Sequence, residues 1–304
     1  MTSWKLTLPC TRAEAEAIEV DMESLALIEP TPVLLTREAT LDDPSDWRLD
    51  AYFAEKPGKA VVAAVRALVP SARNADPVIE KIADEDWVTL SQAGLEPVRA
   101  GRFFVHTAAY TGGMPPGLRA FRIEASRAFG TGHHETTTGC LQMLDAMKRA
   151  GTRVDNLIDI GTGTGLLAFA ALHLWPRAYA TATDIDPVSI EVTAENAAIN
   201  GVPLGQRQGR VALTVADGTQ DAMVQRRAPY DLVIANILAG PLIELAPDIA
   251  AIAAPGAQLV LAGLLTTQAA AVARAYRRQG FRVAGRIVLG DWTILRLRVR
   301  GMIG

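Results

Sequence analysis

The sequence predicts an α/β protein in which helices cover a parallel β-sheet, preceded by a smaller α+β domain. From about residue 130 onward, short apolar segments alternate with segments of helical period. Such alternation indicates a parallel sheet with helices on both faces. The first 83 residues instead follow the order βαββαβ, which is the ferredoxin-like arrangement. We therefore expect a small domain over 1–83, a connector over 84–125 and the α/β domain over 126–304.

Local signals delimit the elements of the small domain and the connector. Thr11 is expected to cap a helix that runs to Ser24, because Glu14 completes a capping box. A second helix, Lys59–Val69, stops at Pro70. The predicted strands are Trp4–Leu8, Ala26–Thr36, Trp47–Ala54 and Pro77–Ile82. The predicted elements of the connector are a short helix over Asp84–Gln92 and strands over Phe103–His106 and Ala120–Glu124.

Helix start and stop signals are clearest in the α/β domain. Asp186 is a suitable N-cap, Pro187 suits the first helical position, and Gly201 follows the helix. The predicted helices are His134–Ala150, Leu166–Leu174, Val188–Asn200, Pro241–Ala253 and Thr266–Arg278. The predicted strands are Asn156–Ile160, Ala178–Asp184, Val211–Ala216, Tyr230–Asn236, Gln258–Ala262, Phe281–Leu289 and Trp292–Val299. The last two strands are expected to form a hairpin that adds an antiparallel edge to the sheet.

Composition limits the class of protein. The net charge of −3 argues against a general nucleic-acid binder, because such proteins usually carry a basic excess. Cys10 and Cys140 have neither metal-ligand spacing nor a disulfide pattern, which fits a reducing compartment. The N-terminus has no signal-peptide core, and no apolar run is long enough to span a bilayer. We expect a cytoplasmic protein without membrane contacts or direct nucleic-acid binding.

A glycine-rich turn is the most informative motif, and it reads Asp159-Ile160-Gly161-Thr162-Gly163-Thr164-Gly165. Glycines let a ligand approach the backbone, and the free amides at the following helix start attract a negative group. The third glycine comes one position earlier than in the G-x-G-x-x-G dinucleotide fingerprint. The spacing favours S-adenosylmethionine over NAD, and Gly161 and Gly163 are the predicted contacts to the methionine carboxylate.

Polar side chains also end the strands that follow the glycine turn. Ligands of a doubly wound sheet collect at the carboxyl ends of its strands. Asp184 is therefore placed to accept hydrogen bonds from both ribose hydroxyls. Asp217 is placed to accept from the adenine amino group, although Asp-Gly is equally typical of a plain turn. Asn236, followed by apolar Ile237 and Leu238, is placed where the sulfonium methyl would point.

The segment before the glycine turn contains residues of types that bind metals. His133, His134 and Glu135 are adjacent, and neighbouring residues on a helix point in different directions. They do not form a chelate without other ligands, so we predict no metal site. The threonines and glycines of Phe129–Thr137 favour a segment that closes over the cofactor pocket.

Taken together, the motifs resemble the bacterial ribosomal protein L-11 methyltransferase (PrmA) family. The resemblance rests on the glycine turn and on five further motifs: Phe129-Gly130-Thr131-Gly132-x-His134-x-Thr136-Thr137, Asp184-Ile185-Asp186-Pro187, Asn196-x-x-x-Asn200-Gly201, Ala235-Asn236-Ile237-Leu238-Ala239-Gly240-Pro241-Leu242 and Gly263-Leu264-Leu265-x-x-Gln268. It extends from about 129 to 268. The chain departs from the family at His133-His134-Glu135, where Thr-His-Pro is common, and at Thr162 and Thr164, where Cys and Ser are common.

The resemblance implies a Rossmann-like, S-adenosylmethionine-dependent methyltransferase. Its implied acceptors are lysine side chains of ribosomal protein L-11, with the N-terminal amine as a further candidate. By the same resemblance, Thr137, Gly161, Asp184 and Asn236 contact the cofactor, and the N-terminal domain recognises the substrate protein. Two alternatives stay open: a methyltransferase for RNA or a small amine, and a non-catalytic ribosome-assembly factor that binds S-adenosylmethionine.

Asn236 is the candidate catalytic residue, with a positioning role and without an assigned general base. A lysine ammonium group has a pKa near ~10.4 in water and must lose a proton before it accepts a methyl group. Burial in an apolar pocket lowers that pKa. We expect Asn236 and nearby carbonyls to hold the neutral amine in line with the methyl group. Enzymes that act on planar acceptors often have Asn-Pro-Pro-Tyr here, which Asn236-Ile237-Leu238 lacks.

Overall fold

The computed structural model describes residues 2–20, 33–38, 47–53, 55–83, 97–123 and 134–299. The chain forms two compact units, Met1–Ser91 and Gln92–Gly304. The predicted helix over Asp84–Gln92, the first part of the predicted strand Ala26–Thr36 and the segment Phe129–His133 lie outside the described residues. Among the residues described, no helix has the length and apolar character needed to cross a membrane.

The first unit contains a four-stranded antiparallel sheet. Its elements are β1 (Thr2–Cys10), α1 (Arg12–Val20), β2 (Val33–Glu38), β3 (Trp47–Phe53), α2 (Lys59–Ala67), a 3-10 turn (Pro70–Ala72) and β4 (Val78–Ala83). The strand order is β2-β3-β1-β4, and every neighbouring pair is antiparallel. This is the order of a split βαβ motif, so the ferredoxin-like prediction is confirmed. Leu6, Leu8, Leu49 and Val65 form the centre of its core.

The predicted capping box is present at the start of α1. The Thr11 amide donates to Glu14 Oε2 at 2.8 Å, and the Glu14 amide donates to Thr11 Oγ1 at 3.3 Å. The Glu14 carboxylate also accepts from the Ser71 amide and hydroxyl, at 2.8 and 2.6 Å. Glu14 therefore connects α1 to the 3-10 turn, a long-range contact that the capping-box pattern does not predict.

Residues 97–123, predicted as part of a connector, form a three-stranded sheet within the second unit. Its strands are β5 (Val98–Ala100), β6 (Phe103–His106) and β7 (Arg119–Arg122), with β5 and β6 antiparallel and β6 and β7 parallel. Phe103 and Phe121 are buried in the core of the second unit. The rings of Phe121 and Phe169 lie 6.5 Å apart. This part of the chain therefore belongs structurally to the larger unit.

A seven-stranded sheet forms the centre of the second unit. Its strands are β8 (Asn156–Ile160), β9 (Tyr179–Asp184), β10 (Val211–Val215), β11 (Tyr230–Asn236), β12 (Ala253–Leu265), β13 (Phe281–Leu289) and β14 (Trp292–Val299). The order is β10-β9-β8-β11-β12-β14-β13. The first five strands in this order are parallel. β14 is antiparallel to both β12 and β13, so the hairpin inserts β14 next to β12 and leaves β13 at the edge.

Helices cover both faces of this sheet, as the sequence predicts. They are α3 (His134–Arg149), α4 (Leu166–Leu174), α5 (Pro187–Ile199), α6 (Ala222–Arg227), α7 (Ala239–Glu244), α8 (Ala246–Ile252) and α9 (Ala269–Arg278). One core contains Leu144 of α3 and Phe169 of α4. The other contains Leu242 of α7, Ile249 of α8 and Val272 of α9. Two separate apolar clusters on one sheet confirm the doubly covered α/β fold.

In the second unit one predicted helix is divided, one helix is not predicted, and β12 begins at Ala253 and not at the predicted Gln258. The single helix predicted over Pro241–Ala253 is divided at Leu245 into α7 and α8. Pro247 explains the division, because it has no amide to continue the helical hydrogen bonds. Helix α6 is absent from the prediction, although its capping signal is present in the sequence. Asp221 Oδ1 accepts from the amides of Met223 at 2.7 Å and Val224 at 3.3 Å.

Helix α3 approaches β14 closely at Gly139. A Cβ atom on Gly139 would lie 2.2 Å from Ile294 Cδ1 and 2.6 Å from Ile294 Cγ1. Both residues are buried in the described structure. The packing distance between this helix and the sheet therefore depends on the missing side chain.

We expect Gly139→Ala to lower the free energy of unfolding by about 1–3 kcal/mol, because an added methyl group overpacks a dense core. Alanine gains about 1 kcal/mol over glycine in a helix, so the loss should disappear once Ile294 is shortened. In an Ile294→Ala background, Gly139→Ala should be neutral or stabilising. Urea denaturation of the four proteins measures this coupling, and additive effects would contradict the packing explanation.

Candidate active site at the carboxyl edge of the sheet

The glycine turn between β8 and α4 requires glycine at each of its three positions. Gly161, Gly163 and Gly165 have φ angles of +69°, +56° and +83°, a region that residues with side chains rarely adopt. Space is limited as well. A Cβ atom on Gly161 would lie 2.4 Å from Ile237 Cγ2, and one on Gly165 would lie 2.4 Å from Phe169 Cζ. The backbone of the turn is thus packed directly against side chains of other elements.

Helix α5 holds the turn from the side of the core. Thr193 Oγ1 donates to the carbonyl of Gly163 at 2.9 Å, and Asn196 Nδ2 donates to the carbonyl of Thr164 at 3.1 Å. Both side chains are buried. These bonds fix the direction of two peptide groups in the turn. Asn196 belongs to a motif to which the sequence analysis assigns no role, and its structural role is this contact.

Asp159 lies beneath the turn and stabilises the start of α4. Its Oδ2 accepts from the Thr162 hydroxyl at 2.8 Å and from the Ala168 amide at 3.1 Å. Its Oδ1 is buried and has no hydrogen-bond partner in the described part of the chain. Burial raises the pKa of Asp159 to about 7; the bonds from Thr162 and Ala168 oppose this rise, and the charge of Asp184 adds to it. Asp159 therefore supports the turn from inside the fold.

Asp184 lies at the end of β9 and contacts the glycine turn directly. Its Oδ2 accepts from the Gly163 amide at 2.9 Å, and its Oδ1 accepts from the Asp186 amide at 3.1 Å. A carboxylate has about four acceptor sites, so two sites remain for ligand hydroxyls. Asp186 caps α5 as predicted, because its Oδ1 accepts from the Val188 amide at 2.9 Å.

Asp217 follows β10, next to the end of β9. The Ala216 amide donates to the Asp184 carbonyl at 2.8 Å, which holds the two strand ends together. The Asp217 side chain is exposed. Three large apolar side chains at the same edge are also exposed, which is unusual beside charged groups: Ile185, Val188 and Val215. The edge therefore combines carboxylates with apolar surface, as a site for a nucleoside requires.

Asn236 ends β11, which pairs with β8 on the side opposite to β9. It is half-buried and pairs with Ala262 of β12. Its side-chain amide forms no hydrogen bond with any residue that the structure describes. Ile237 follows and contacts Gly161, while Leu238 is 68% exposed. A neutral polar amide with free hydrogen-bonding capacity thus lies beside the glycine turn, next to an apolar surface.

Gly263 is a site residue that the sequence analysis leaves without a role. Its φ is +81°, and a Cβ atom there would lie 2.3 Å from the carbonyl oxygen of Ile237. The pairing of β12 and β14 shifts register between Leu261 and Leu264. A glycine at the end of a strand signals such a close approach, but the sequence does not identify the partner.

The structure does not connect every predicted site residue. Thr137 is half-buried in the first turn of α3, and among the described residues no hydrogen bond joins it to the four strand ends. Residues 129–133, predicted to close over the pocket, lie outside the described residues. Within the described ranges, no group of His, Cys, Asp and Glu side chains has the arrangement of a metal site.

The arrangement fits S-adenosylmethionine. The glycine turn presents backbone at the start of α4, where a carboxylate is favoured, and its shape is fixed by the packing of Ile237 and Phe169 against Gly161 and Gly165. Asp184 has free acceptor sites for vicinal hydroxyls, and exposed Asp217 and Ile185 suit an aminopurine. Asn236 ends β11 on the side of the turn opposite to Asp184.

The chain is similar to proteins of one family. The family model for ribosomal protein L11 methyltransferase (PrmA) matches residues 4–300. The ribosomal protein L11 methyltransferase of Caulobacter sp. (strain K31) is 40% identical over 287 residues, which cover 94% of each chain. That of Agrobacterium fabrum (strain C58 / ATCC 33970) is 44% identical over 223 residues, 73% of this chain and 74% of the relative.

A solved structure supports the same comparison. The crystal structure of ribosomal protein L11 methylase from Lactobacillus delbrueckii subsp. bulgaricus matches with a TM-score of 0.56 at 25% identity. The match covers 68% of this chain and 100% of that chain. The sequence match to the family model extends over both units.

Asp159 is expected to make stability depend on pH. Its pKa is raised from the ordinary value of 3.8 to about 7, so the folded protein binds a proton that the unfolded chain releases. Stability therefore falls as pH rises from about 4 to 7, by up to about 1.4 kcal/mol per pH unit. Asp159→Asn removes this titration while Oδ1 of asparagine can still accept from Thr162 and Ala168.

Urea denaturation between pH 5 and 8 tests this expectation. The free energy of unfolding of the wild-type protein should decrease with pH relative to that of Asp159→Asn. The two curves should run parallel above the folded-state pKa. Parallel curves over the whole range would show that Asp159 is ionised in the folded protein at pH 5.

Proposed function

The chain belongs to the ribosomal protein L11 methyltransferase family, and from this membership we propose that it transfers methyl groups from S-adenosylmethionine to amino groups of ribosomal protein L11. The observation that carries the proposal is the contact between the two halves of the site. Ile237, adjacent to Asn236, packs on Gly161 of the glycine turn. An acceptor held by Asn236 therefore lies beside a donor held by the turn.

We propose the following cofactor contacts. The cofactor lies against the backbone of Gly161 and Gly163, with its methionine carboxylate near the positive end of α4, where a negative group is favoured. Asp184 accepts hydrogen bonds from the two ribose hydroxyls, and its existing bond to the Gly163 amide holds it in place. Asp217 accepts from the adenine amino group. Thr137 and Asn236 complete the proposed set, with Thr137 supported by the family motif.

On the acceptor side, Asn236 positions the amine. When bound, S-adenosylmethionine would supply a sulfonium methyl group to an unprotonated amine: the N–C bond forms in line as the C–S bond breaks, with S-adenosylhomocysteine as the leaving group. The amide oxygen of Asn236 accepts a hydrogen bond from the neutral amine. This bond orients the lone pair of the amine nitrogen toward the methyl carbon. Leu238 is exposed beside it, and an apolar neighbour favours the neutral form of a lysine.

The site offers little support for a strong general base. Asp159 is buried beneath the turn, and Asp184 already accepts two backbone amides. If the lysine ammonium group loses its proton to solvent before it enters the pocket, no general base is needed. We therefore assign no catalytic base and expect the rate of transfer to rise with the fraction of neutral amine.

The acceptor class follows from the same residues. Asn236-Ile237-Leu238 presents aliphatic surface without an aromatic ring for stacking on a planar base, which favours the flexible amine of a lysine over RNA. We propose lysine side chains as the main acceptors, with the N-terminal amine as a further one. We further propose that the enzyme works in the cytoplasm, where newly made ribosomal proteins are found, and that it does not bind nucleic acid directly.

The N-terminal unit is proposed to recognise the substrate protein. It has its own hydrophobic core, which includes Leu6 and Leu49, and none of the proposed cofactor contacts lies in it. A separate module with no contact to the cofactor is suited to bind the protein to be methylated.

Methyl transfer to purified ribosomal protein L11 tests the proposed function. The wild-type enzyme with S-adenosylmethionine should raise the mass of L11 in steps of one methyl group. Asn236→Ala should lower kcat by about 100-fold, because a misplaced acceptor reacts slowly, and should weaken cofactor binding less, because Asn236 is only one of several proposed cofactor contacts. An Asn236→Ala enzyme with full turnover would contradict the positioning role.

Controls separate the alternative functions. Unmodified L11 after incubation with a wild-type enzyme that binds S-adenosylmethionine would favour a non-catalytic assembly factor. Methylation of RNA or of a small amine, with L11 unchanged, would identify a different acceptor. Tight binding of NAD in place of S-adenosylmethionine would contradict the assignment of the cofactor.

Removal of residues 1–91 tests the role of the N-terminal unit. We expect the truncated protein to lose transfer to L11, while its Kd for S-adenosylmethionine stays within about three-fold of wild type, because the second unit has its own core. Calorimetric titration and mass spectrometry measure the two quantities. Full activity of the truncated protein would show that substrate recognition resides in the second unit.

A further inference from the structure

Gly263 lies where β12 leaves its regular pairing with β14. A Cβ atom there would lie 2.3 Å from the carbonyl oxygen, 2.7 Å from the carbonyl carbon and 3.0 Å from the amide nitrogen of Ile237. All three are backbone atoms, so the clash could not be relieved by a side-chain rotation. The backbone of the segment after Asn236 therefore lies directly on the backbone of Gly263.

The same isoleucine contacts a second glycine from the opposite side. Ile237 Cγ2 occupies the position where a Cβ atom on Gly161 would be, at 2.4 Å. Ile237 is thus enclosed between Gly161 at the end of β8 and Gly263 at the end of β12. We call this three-residue contact the glycine clasp. On the Gly263 side the contact is made by backbone atoms of Ile237, so a displacement at Gly263 must move the Ile237 peptide.

The Ile237 peptide is directly bonded to Asn236. β11 pairs regularly with β12 up to Asn236 and Ala262, which leaves the clasp as the first constraint beyond the paired strand. The Asn236 side chain has no hydrogen bond with described residues that would hold it independently. Its direction therefore depends on the backbone that the clasp fixes.

On this basis we infer that Gly263 is a positioning residue for methyl transfer: it sets the place of the Ile237 peptide and, through it, that of the acceptor amide of Asn236. The inference rests on the proposed function for its kinetic consequence, and on the contacts above for its structural one. Gly263 acts through Ile237 and touches neither donor nor acceptor in this assignment.

The chain provides a closely matched control on the same strand. Gly256 also lies in β12 and has a φ of +80°, but a Cβ atom there would meet nothing within 4 Å. Gly256→Ala therefore introduces the backbone strain of Gly263→Ala without its clash. A difference between the two variants reports the contact with Ile237.

The experiment compares the full-length wild-type, Gly263→Ala and Gly256→Ala proteins. Steady-state assays with L11 give kcat and KM, calorimetry gives Kd for S-adenosylmethionine, and hydrogen exchange monitors the peptide containing Asn236–Leu238. Gly263→Ala should lower kcat at least about ten-fold while the cofactor Kd stays within about three-fold, since misplacement affects reaction more than binding. Its Asn236–Leu238 peptide should exchange faster than in Gly256→Ala.

Each outcome decides the inference. Equal kcat and equal exchange in Gly263→Ala and Gly256→Ala would overturn it. If Gly263→Ala does not fold, hydrogen exchange of the wild-type protein decides: an Ile237 amide that exchanges as slowly as the paired amides of β11 supports the inference, and one that exchanges as fast as the amide of exposed Leu238 overturns it. If the wild-type protein does not methylate L11, the proposed function fails, and the exchange comparison still decides the structural inference.

Discussion

The site depends on the close approach of neighbouring elements to glycine backbone at the carboxyl edge of the sheet. Five parallel strands bring their ends to this edge, and the chain leaves each end through a turn. At Gly161, Gly165 and Gly263, any Cβ atom would collide with atoms already packed there: side chains at the first two positions and the Ile237 backbone at the third. Glycine meets this constraint, because it adopts positive φ angles and has no Cβ atom.

Two carboxylates close to one turn have opposite roles because their surroundings differ. Asp159 is buried, accepts two bonds from the turn and the helix behind it, and has a raised pKa. Asp184 lies nearer to solvent, and each of its oxygens retains capacity for a further hydrogen bond. The first supports the shape of the turn, and the second remains available to a ligand. Both residues are aspartates, and the difference in their burial determines which one supports the turn and which one is available to a ligand.

Several local predictions are confirmed because nearby residues control them. The capping box of Thr11 and Glu14 and the N-cap at Asp186 depend on residues two or three positions apart. The strand order of the N-terminal unit follows from its βαββαβ element order. The helix predicted over Pro241–Ala253 fails at Pro247, where a missing amide outweighs the apolar period. Two strands of the sheet in residues 97–123 are predicted locally, but the core on which this sheet packs is distant in sequence, so the prediction places these residues in a connector.

The alternation of strands and helices, the spacing of the glycine turn and the polar residues at four strand ends can all be predicted from the order of residues. These features identify the cofactor class, because they depend on local geometry that every parallel α/β sheet repeats. The roles of Asn196 and Gly263 become visible only in the folded chain. Their partners, Thr164 and Ile237, lie about 30 residues away along the chain, in other elements. Such contacts are set by the register and packing of neighbouring elements, and no periodicity in the sequence encodes the distances between them.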